Sequence, residues 1–267
     1  MADAVAAKYP DVTLVFNNWK ETKAITNGAK ADLRDDHFYT TPDRMMGDLA
    51  HEYDTPKGDF NIFVGEYAVI RDTTRYGSLR AAIGEAAFMC GLERNQDTVK
   101  LAAYAPLFAN AQHTVWTPNL IYPTTDGCFV NPSWNVQRIF GAYRGNEVLN
   151  VKIETESFRT KTNEPWTKGT RENTIEKVQA SAVRAKDGTV IVKLVNVTEE
   201  PQDVALNLRG AAKRLVFTGE GRDAHNTPYA PETLRERVDE TCIENGLTLP
   251  PLSLTVLSFR PCPAAER

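Results

Sequence analysis

The chain has 267 residues, of which 42% are hydrophobic and 25% charged, with a formal net charge of −4. That length is ample for a sizeable core in one large domain or two modest ones, and the composition is that of an ordinary folded protein. It gives no basic footprint for nucleic acid, and no apolar run approaches the ~20 residues needed to cross a bilayer. The opening Met1-Ala-Asp-Ala-Val-Ala-Ala-Lys8 has no basic stretch followed by an apolar one, so it is not read as a secretory signal, and the compartment is left open.

The first part of the chain alternates short apolar runs with helical patterns. Val12-Thr-Leu-Val-Phe16 reads as a buried strand, and Ala31 to Tyr39 contains a second. Thr41-Pro42-Asp43 is a helix start, with proline in the first turn and an acid close behind, and that helix is expected to reach Tyr53. Asn61-Ile-Phe-Val-Gly-Glu-Tyr-Ala68 is the clearest strand. Ser78 can cap a helix in which Leu79, Ala82, Ile83, Ala86 and Ala87 recur at helical spacing, with Gly91 as its expected end. Thr98 to Ala109 reads as a further helix, and Asn119-Leu-Ile-Tyr122 as a weaker strand. Strands alternating with helices imply βα units and a parallel sheet.

Beyond about residue 148 the pattern is all-β. Thr174 to Ala185 and Thr189 to Val197 are strand-like runs joined by Lys186-Asp-Gly188, a hairpin signal. Val204 to Leu208, Arg214 to Phe217 and Leu252 to Phe259 add strands of an antiparallel sandwich, and Glu220 to Pro231 reads as a long loop. Residues 1–145 and 146–267 are therefore expected to form separate domains. Four βα units in about 145 residues are too few for a closed eight-stranded barrel, which takes about 250 residues. The first part is either a small open sheet or the second half of a barrel.

Among residues that could carry chemistry, Glu66 stands at the end of an apolar strand, next to Gly65, which opens space for a ligand, and Tyr67. It either faces solvent, caps the next helix or sits in a site. Asp35-Asp36-His37-Phe38-Tyr39 ends the preceding strand, and its alternation places His37 and Tyr39 on one face. Asn146-Glu147 reads as a surface turn, and Glu85 and Glu93 as structural. Cys90, Cys128, Cys242 and Cys262 form no C-x-x-C pair, so no zinc site is expected and buried free thiols are the reading, with a Cys242–Cys262 disulfide left open.

These segments resemble glycoside hydrolase family 51, the α-L-arabinofuranosidases. The resemblance rests on Asp35-Asp-His-Phe-Tyr-Thr-Thr-Pro-Asp43, Val64-Gly-Glu-Tyr-Ala68, Gly91-Leu-Glu-Arg-Asn95, Ala103-Tyr-Ala-Pro-Leu-Phe-Ala-Asn110, Trp116-Thr-Pro-Asn-Leu-Ile121 and Pro250-Pro-Leu-Ser-Leu-Thr-Val-Leu257, taken in order. It implies the C-terminal half of a (β/α)₈ barrel, about strands 5 to 8, followed by an antiparallel β-sandwich. It also implies retaining cleavage of terminal α-L-arabinofuranosyl groups from arabinose-containing oligo- or polysaccharides such as those of hemicellulose.

By the matching motif Glu66 is the nucleophile, Tyr39 orients it in a sugar-sized hollow, His37 binds the sugar, and Gln112 and Trp116 line the pocket. No metal or organic cofactor is implied, since two carboxyl groups suffice. The family's acid/base Glu follows an Asn near the fourth barrel strand. No counterpart is found here: Asn17-Asn18-Trp19 offers amides but no carboxylate. The chain alone is therefore expected to be inactive and to expose apolar sheet surface, with a homo-oligomer or a missing N-terminal half as its partner. A non-catalytic carbohydrate-binding remnant, and a retaining glycosidase of other specificity such as a β-xylosidase or endoglucanase, are the alternatives.

Overall fold

The computed structural model describes residues 2–17, 32–55 and 61–260. After a short helix α1 (Ala2–Lys8), four strands form one sheet: β1 (Val15–Asn17), β2 (Leu33–Thr40), β3 (Asn61–Val69) and β4 (Val99–Tyr104). They lie in the order β1-β2-β3-β4, and every neighbouring pair is parallel. The strand expected at Val12 starts three residues later, at Val15. Ala31, at the head of the second expected strand, lies outside the described residues, as do Asn18, Trp19 and Cys262.

Helix α2 (Pro42–Met46) is much shorter than expected. Thr41 caps it, accepting from the Arg44 N–H, but the chain turns at Gly47 into a 3₁₀ turn, Asp48–His51. A Cβ on Gly47 would lie 2.9 Å from the Thr174 carbonyl oxygen, so the close approach of a neighbouring strand overrides the helical pattern. Helix α3 (Leu79–Arg94) is capped by Ser78 Oγ, which accepts from Ala81 N at 3.2 Å. It does not stop at Gly91. A Cβ there would fall 2.2 Å from the Ala50 carbonyl oxygen, so this glycine serves close packing against the 3₁₀ turn rather than termination.

The segment expected as a helix from Thr98 is strand β4. Its pairing with β3, Ile62 opposite Val99 and Val64 opposite Ala102, prevails over the helical preference of its alanines. Strand β5 (Ile121–Pro123) pairs with β6 (Cys128–Val130) and forms a parallel bridge from Ile121 to Phe108. Helix α4 (Pro132–Ala142) follows, unforeseen in the sequence reading. Asn131 caps it, accepting from Trp134 N at 2.9 Å, and proline opens its first turn.

The remaining strands are β7 (Glu147–Leu149), β8 (Ser157–Asn163), β9 (Thr170–Glu176), β10 (Val178–Arg184), β11 (Val190–Asn196), β12 (Gln202–Ala205), β13 (Gly210–Phe217), β14 (Glu236–Ile243), β15 (Gly246–Leu249) and β16 (Ser253–Phe259). Six of them make an antiparallel sheet in the order β14-β13-β16-β11-β10-β7. The pair β12-β15 covers part of one face, packing Val204, Leu247 and Leu249 against Val192, Leu194 and Leu257. Glu147 opens the edge strand β7 and bonds Arg184, while Asn146 lies at the bend just before it, so the pair stands at the surface where a turn leads into a strand.

Helix α3 explains how the two regions join. Phe88, Ala81 and Leu92 pack against β3 with Ile62 and Val64. Ala82, Ile83, Ala86, Ala87 and Cys90 pack with α4 against Val183, Ile191, Leu215 and Val256 of the six-stranded sheet. A helix apolar on two faces is buried between two layers. Of the described cysteines only Cys90 is buried. Cys128 and Cys242 are exposed, because they fall on a short two-stranded ribbon and on the edge strand β14.

Candidate active site at the ends of the parallel strands

Glu66 comes from β3 and meets two side chains of β2. Tyr39 Oη donates to Glu66 Oε2 at 2.6 Å, and His37 Nδ1 lies 3.4 Å from the same oxygen. The register explains the meeting. Asp36 pairs with Val64 but His37 pairs with Glu66, so a bulge leaves Gly65 over. Without that extra residue Glu66 would fall on the opposite face, among the helix-facing side chains.

Gly65 does not make room for a ligand, as its position in the sequence suggested. A Cβ there would lie 2.1 Å from Asp35 Oδ1, so the space belongs to the Asp35 carboxylate. Gly65 N donates to Asp35 Oδ1 at 3.0 Å, and Asn17 Nδ2 donates to Asp35 Oδ2 at 3.0 Å. His37 Nε2 lies 3.0 Å from Asp35 Oδ2, so Asp35 sets the ring that faces Glu66. Sequence reasoning did not assign Asp35 or Asn17 a role. The signal was available in the acid two residues before the histidine.

Burial and the hydrogen bond to Glu66, with its negative charge, hold the Tyr39 phenol far above its ordinary range. It therefore stays protonated, and remains a donor, across the pH range in which proteins work. Trp116 presents its ring to Tyr39 edge-on, with centroids 5.4 Å apart at 73°. Gln112 is exposed on the turn after Asn110, whose Oδ1 accepts its backbone N–H at 2.9 Å, and it makes no contact with Glu66 among the described residues.

The Glu66 side chain is 38% exposed, on β3 three residues before the strand ends at Val69. A hollow of about 1490 Å³ lies beside the loop between β13 and β14 and includes no residue of this cluster.

A second carboxyl lies behind the site. Glu85 of α3 is fully buried, and its Oε1 accepts from Val69 N, near the end of β3, at 2.9 Å. Burial pushes its pKa up to about 7, against the opposing hydrogen bonds from Ser133 and Val69. The folded state then holds a proton that the unfolded chain has released between about pH 4.5 and 7, so stability falls as pH rises across that window. Glu85→Gln removes this term. The stability of the native chain relative to that variant is expected to decline by roughly 3 kcal/mol from pH 4.5 to 7 in urea titrations. A pH-independent difference would show that Glu85 holds no such proton.

A partial (β/α)₈ barrel that runs into an antiparallel sandwich, with a carboxylate at a strand tip, is the architecture of a barrel glycoside hydrolase. The comparisons make this specific. The model of the α-L-arabinofuranosidase C-terminal domain matches residues 65–253. Similar proteins include α-L-arabinofuranosidase 2 of Arabidopsis thaliana, 36% identical over 57% of this chain and 22% of its own length. Another is α-L-arabinofuranosidase A of Aspergillus niger, 31% identical over 84% of this chain and 33% of its own. Among solved structures, arabinose-bound MgGH51 α-L-arabinofuranosidase matches with a TM-score of 0.78 and 25% identity, over 96% of this chain and 41% of that one. The arabinose complex of the Thermotoga maritima enzyme shares the fold, with a TM-score of 0.79 at 18% identity over 97% of this chain and 60% of that one. The chain belongs to glycoside hydrolase family 51, the α-L-arabinofuranosidases, and corresponds to part of that larger fold. It spans from 19% to 33% of the length of the curated relatives it matches.

Proposed function

We propose that residues 1–145 are the second half of a catalytic barrel, that 146–267 are its sandwich domain, and that Glu66 is the nucleophile of a retaining α-L-arabinofuranosidase. The observation that carries this is the Glu66 carboxylate held by Tyr39 and His37 at adjacent strand ends, in a chain of family 51. Tyr39 and His37 both engage Oε2, which leaves Oε1 to attack the anomeric carbon. The glycosidic C–O bond then breaks, its oxygen takes a proton from an acid, and a covalent arabinosyl ester forms. Water, deprotonated by the same acid group, now acting as base, releases arabinose with retained configuration.

The acid/base belongs about 5–5.5 Å from Glu66. Among the described residues Asp35 is a nearby carboxylate, but its oxygens are committed to Gly65, Asn17 and His37. We therefore assign the acid/base to polypeptide outside residues 1–267. Val15 and Leu101 are exposed on the parallel strands β1 and β4, which supports a further barrel half packing there.

The test joins this chain to a family-51 barrel half that carries the acid/base and assays aryl α-L-arabinofuranoside and aryl β-D-xyloside. Arabinofuranoside hydrolysis by the joined protein, and by neither part alone, is the expected result. Preference for the xyloside would overturn the specificity. Equal turnover by this chain alone would overturn the external acid. Sugar binding without turnover in the joined protein would favour a carbohydrate-binding remnant.

A further inference from the structure

Strands β8 and β9 form a hairpin, paired from Ser157 opposite Glu176 to Asn163 opposite Thr170, that stands apart from the six-stranded sheet. Its tip reaches the end of β2. Glu164 there is buried and accepts from the hydroxyls of Thr40 and Thr41, the latter at 2.9 Å. Thr162 Oγ1 donates to Glu164 Oε1 at 3.2 Å and accepts from Asn173 Nδ2 at 3.0 Å. Thr40 and Thr41 directly follow Tyr39, so a buried carboxylate clamps the tip beside the candidate active site.

Two residues beyond the clamp, Trp166 is 71% exposed and sits at φ 63°, a region that side-chain-bearing residues seldom adopt. Such a backbone persists where its surroundings hold it, and it is found disproportionately at ligand sites. Its ring stacks on Trp116, with centroids 6.1 Å apart at 19°. Trp116 in turn meets Tyr39, which bonds Glu66. Two indoles thus lie side by side at the rim of the site, one 71% and the other 37% exposed. Exposed aromatics arranged this way beside convergent polar groups mark binding surfaces, because sugar rings present apolar C–H faces to flat aromatic ones.

We propose that Trp166, stacked on Trp116, forms a platform for the chain sugar that carries the arabinofuranosyl group. Two ring steps, of 5.4 and 6.1 Å, separate Trp166 from Tyr39, so it lies beyond a single pentose held at Glu66. The orientation of the platform rests on the reading of Glu66 as nucleophile. The platform's existence rests on the hairpin and its contact with Trp116, not on the role of Glu66. In this arrangement the sandwich region supplies a specificity element to the barrel.

The test is calorimetric titration of the full 267-residue chain with L-arabinose, xylotriose and arabinofuranosyl-substituted xylotriose. Trp166→Ala is expected to weaken the substituted trisaccharide about three- to tenfold while leaving L-arabinose affinity unchanged, and Trp166→Phe to retain most of the binding. Glu164→Gln, which loosens the clamp, is expected to weaken the same ligand. Unchanged affinity in Trp166→Ala, equal losses for L-arabinose and the substituted trisaccharide, or no trisaccharide binding by the native chain would each overturn the platform. Trp166-dependent binding of plain xylotriose, as tight as that of the substituted ligand, would uphold the platform and count against the arabinofuranosyl reading.

Discussion

Glu66→Ala in the joined enzyme is expected to lower kcat for an aryl arabinofuranoside by at least about 10⁴, since loss of a covalent nucleophile leaves only binding and residual electrostatics. The Glu66 side chain is 38% exposed and lies outside the buried core, so the loss would reflect chemistry rather than unfolding. Azide gives a second readout. In Glu66→Ala it can occupy the vacated face of the sugar and displace the leaving group, forming an arabinosyl azide of inverted configuration. Recovery of turnover with that product identifies the nucleophile. Near-native activity in Glu66→Ala without azide would remove it from the role.

Lys193→Ala is expected to cost roughly 3–5 kcal/mol of stability, the usual consequence of leaving one partner of a buried ion pair alone. Lys193 of β11 is wholly buried, with Nζ 2.7 and 2.9 Å from the two oxygens of Glu93 in α3. The same Nζ donates to the Tyr143 carbonyl at 2.7 Å and lies 5.2 Å from the centre of the Phe140 ring, while Ser181 Oγ donates to Glu93 Oε2 at 2.6 Å. The pair thus joins the helix behind the parallel sheet to the six-stranded sheet. At roughly 2–4 °C per kcal/mol, Tm should drop by about 10 °C. The double variant Lys193→Met with Glu93→Gln should recover much of the loss, because the stranded charge is gone. A single variant within about 1 kcal/mol of native in urea titration would show that solvent reaches the pair.

The hairpin at Lys186-Asp-Gly188 forms as its sequence requires. Gly188 takes φ 84°, a value glycine adopts freely, and Ala185 N closes the turn onto Thr189 O at 2.9 Å. Asn196, at the end of β11, is buried and donates to the Glu200 and Pro250 carbonyls. His51 lies 2.6 Å from Asp54 and 3.4 Å from Glu176. The Glu176 contact joins residues far apart along the chain.

Local sequence by itself determined the motifs that carry the site. Period-two alternation around His37 and Tyr39 places both on one face of a strand, and an apolar run ending in Glu66 makes a strand with a charged tip. These are properties of a few consecutive residues, so no distant partner is needed to read them. Whether those strands meet productively was decided only by tertiary structure. A one-residue bulge brings Glu66 onto the face of His37, and Asp35 fills the space that Gly65 leaves. The alanine-rich segment after Thr98 became a strand because β3 offered it an open edge. Trp166, more than a hundred residues from Tyr39 in sequence, reached the rim because Glu164 found two threonines there. Register, close approach and long-range hydrogen bonds are relations between segments, and no single segment carries them.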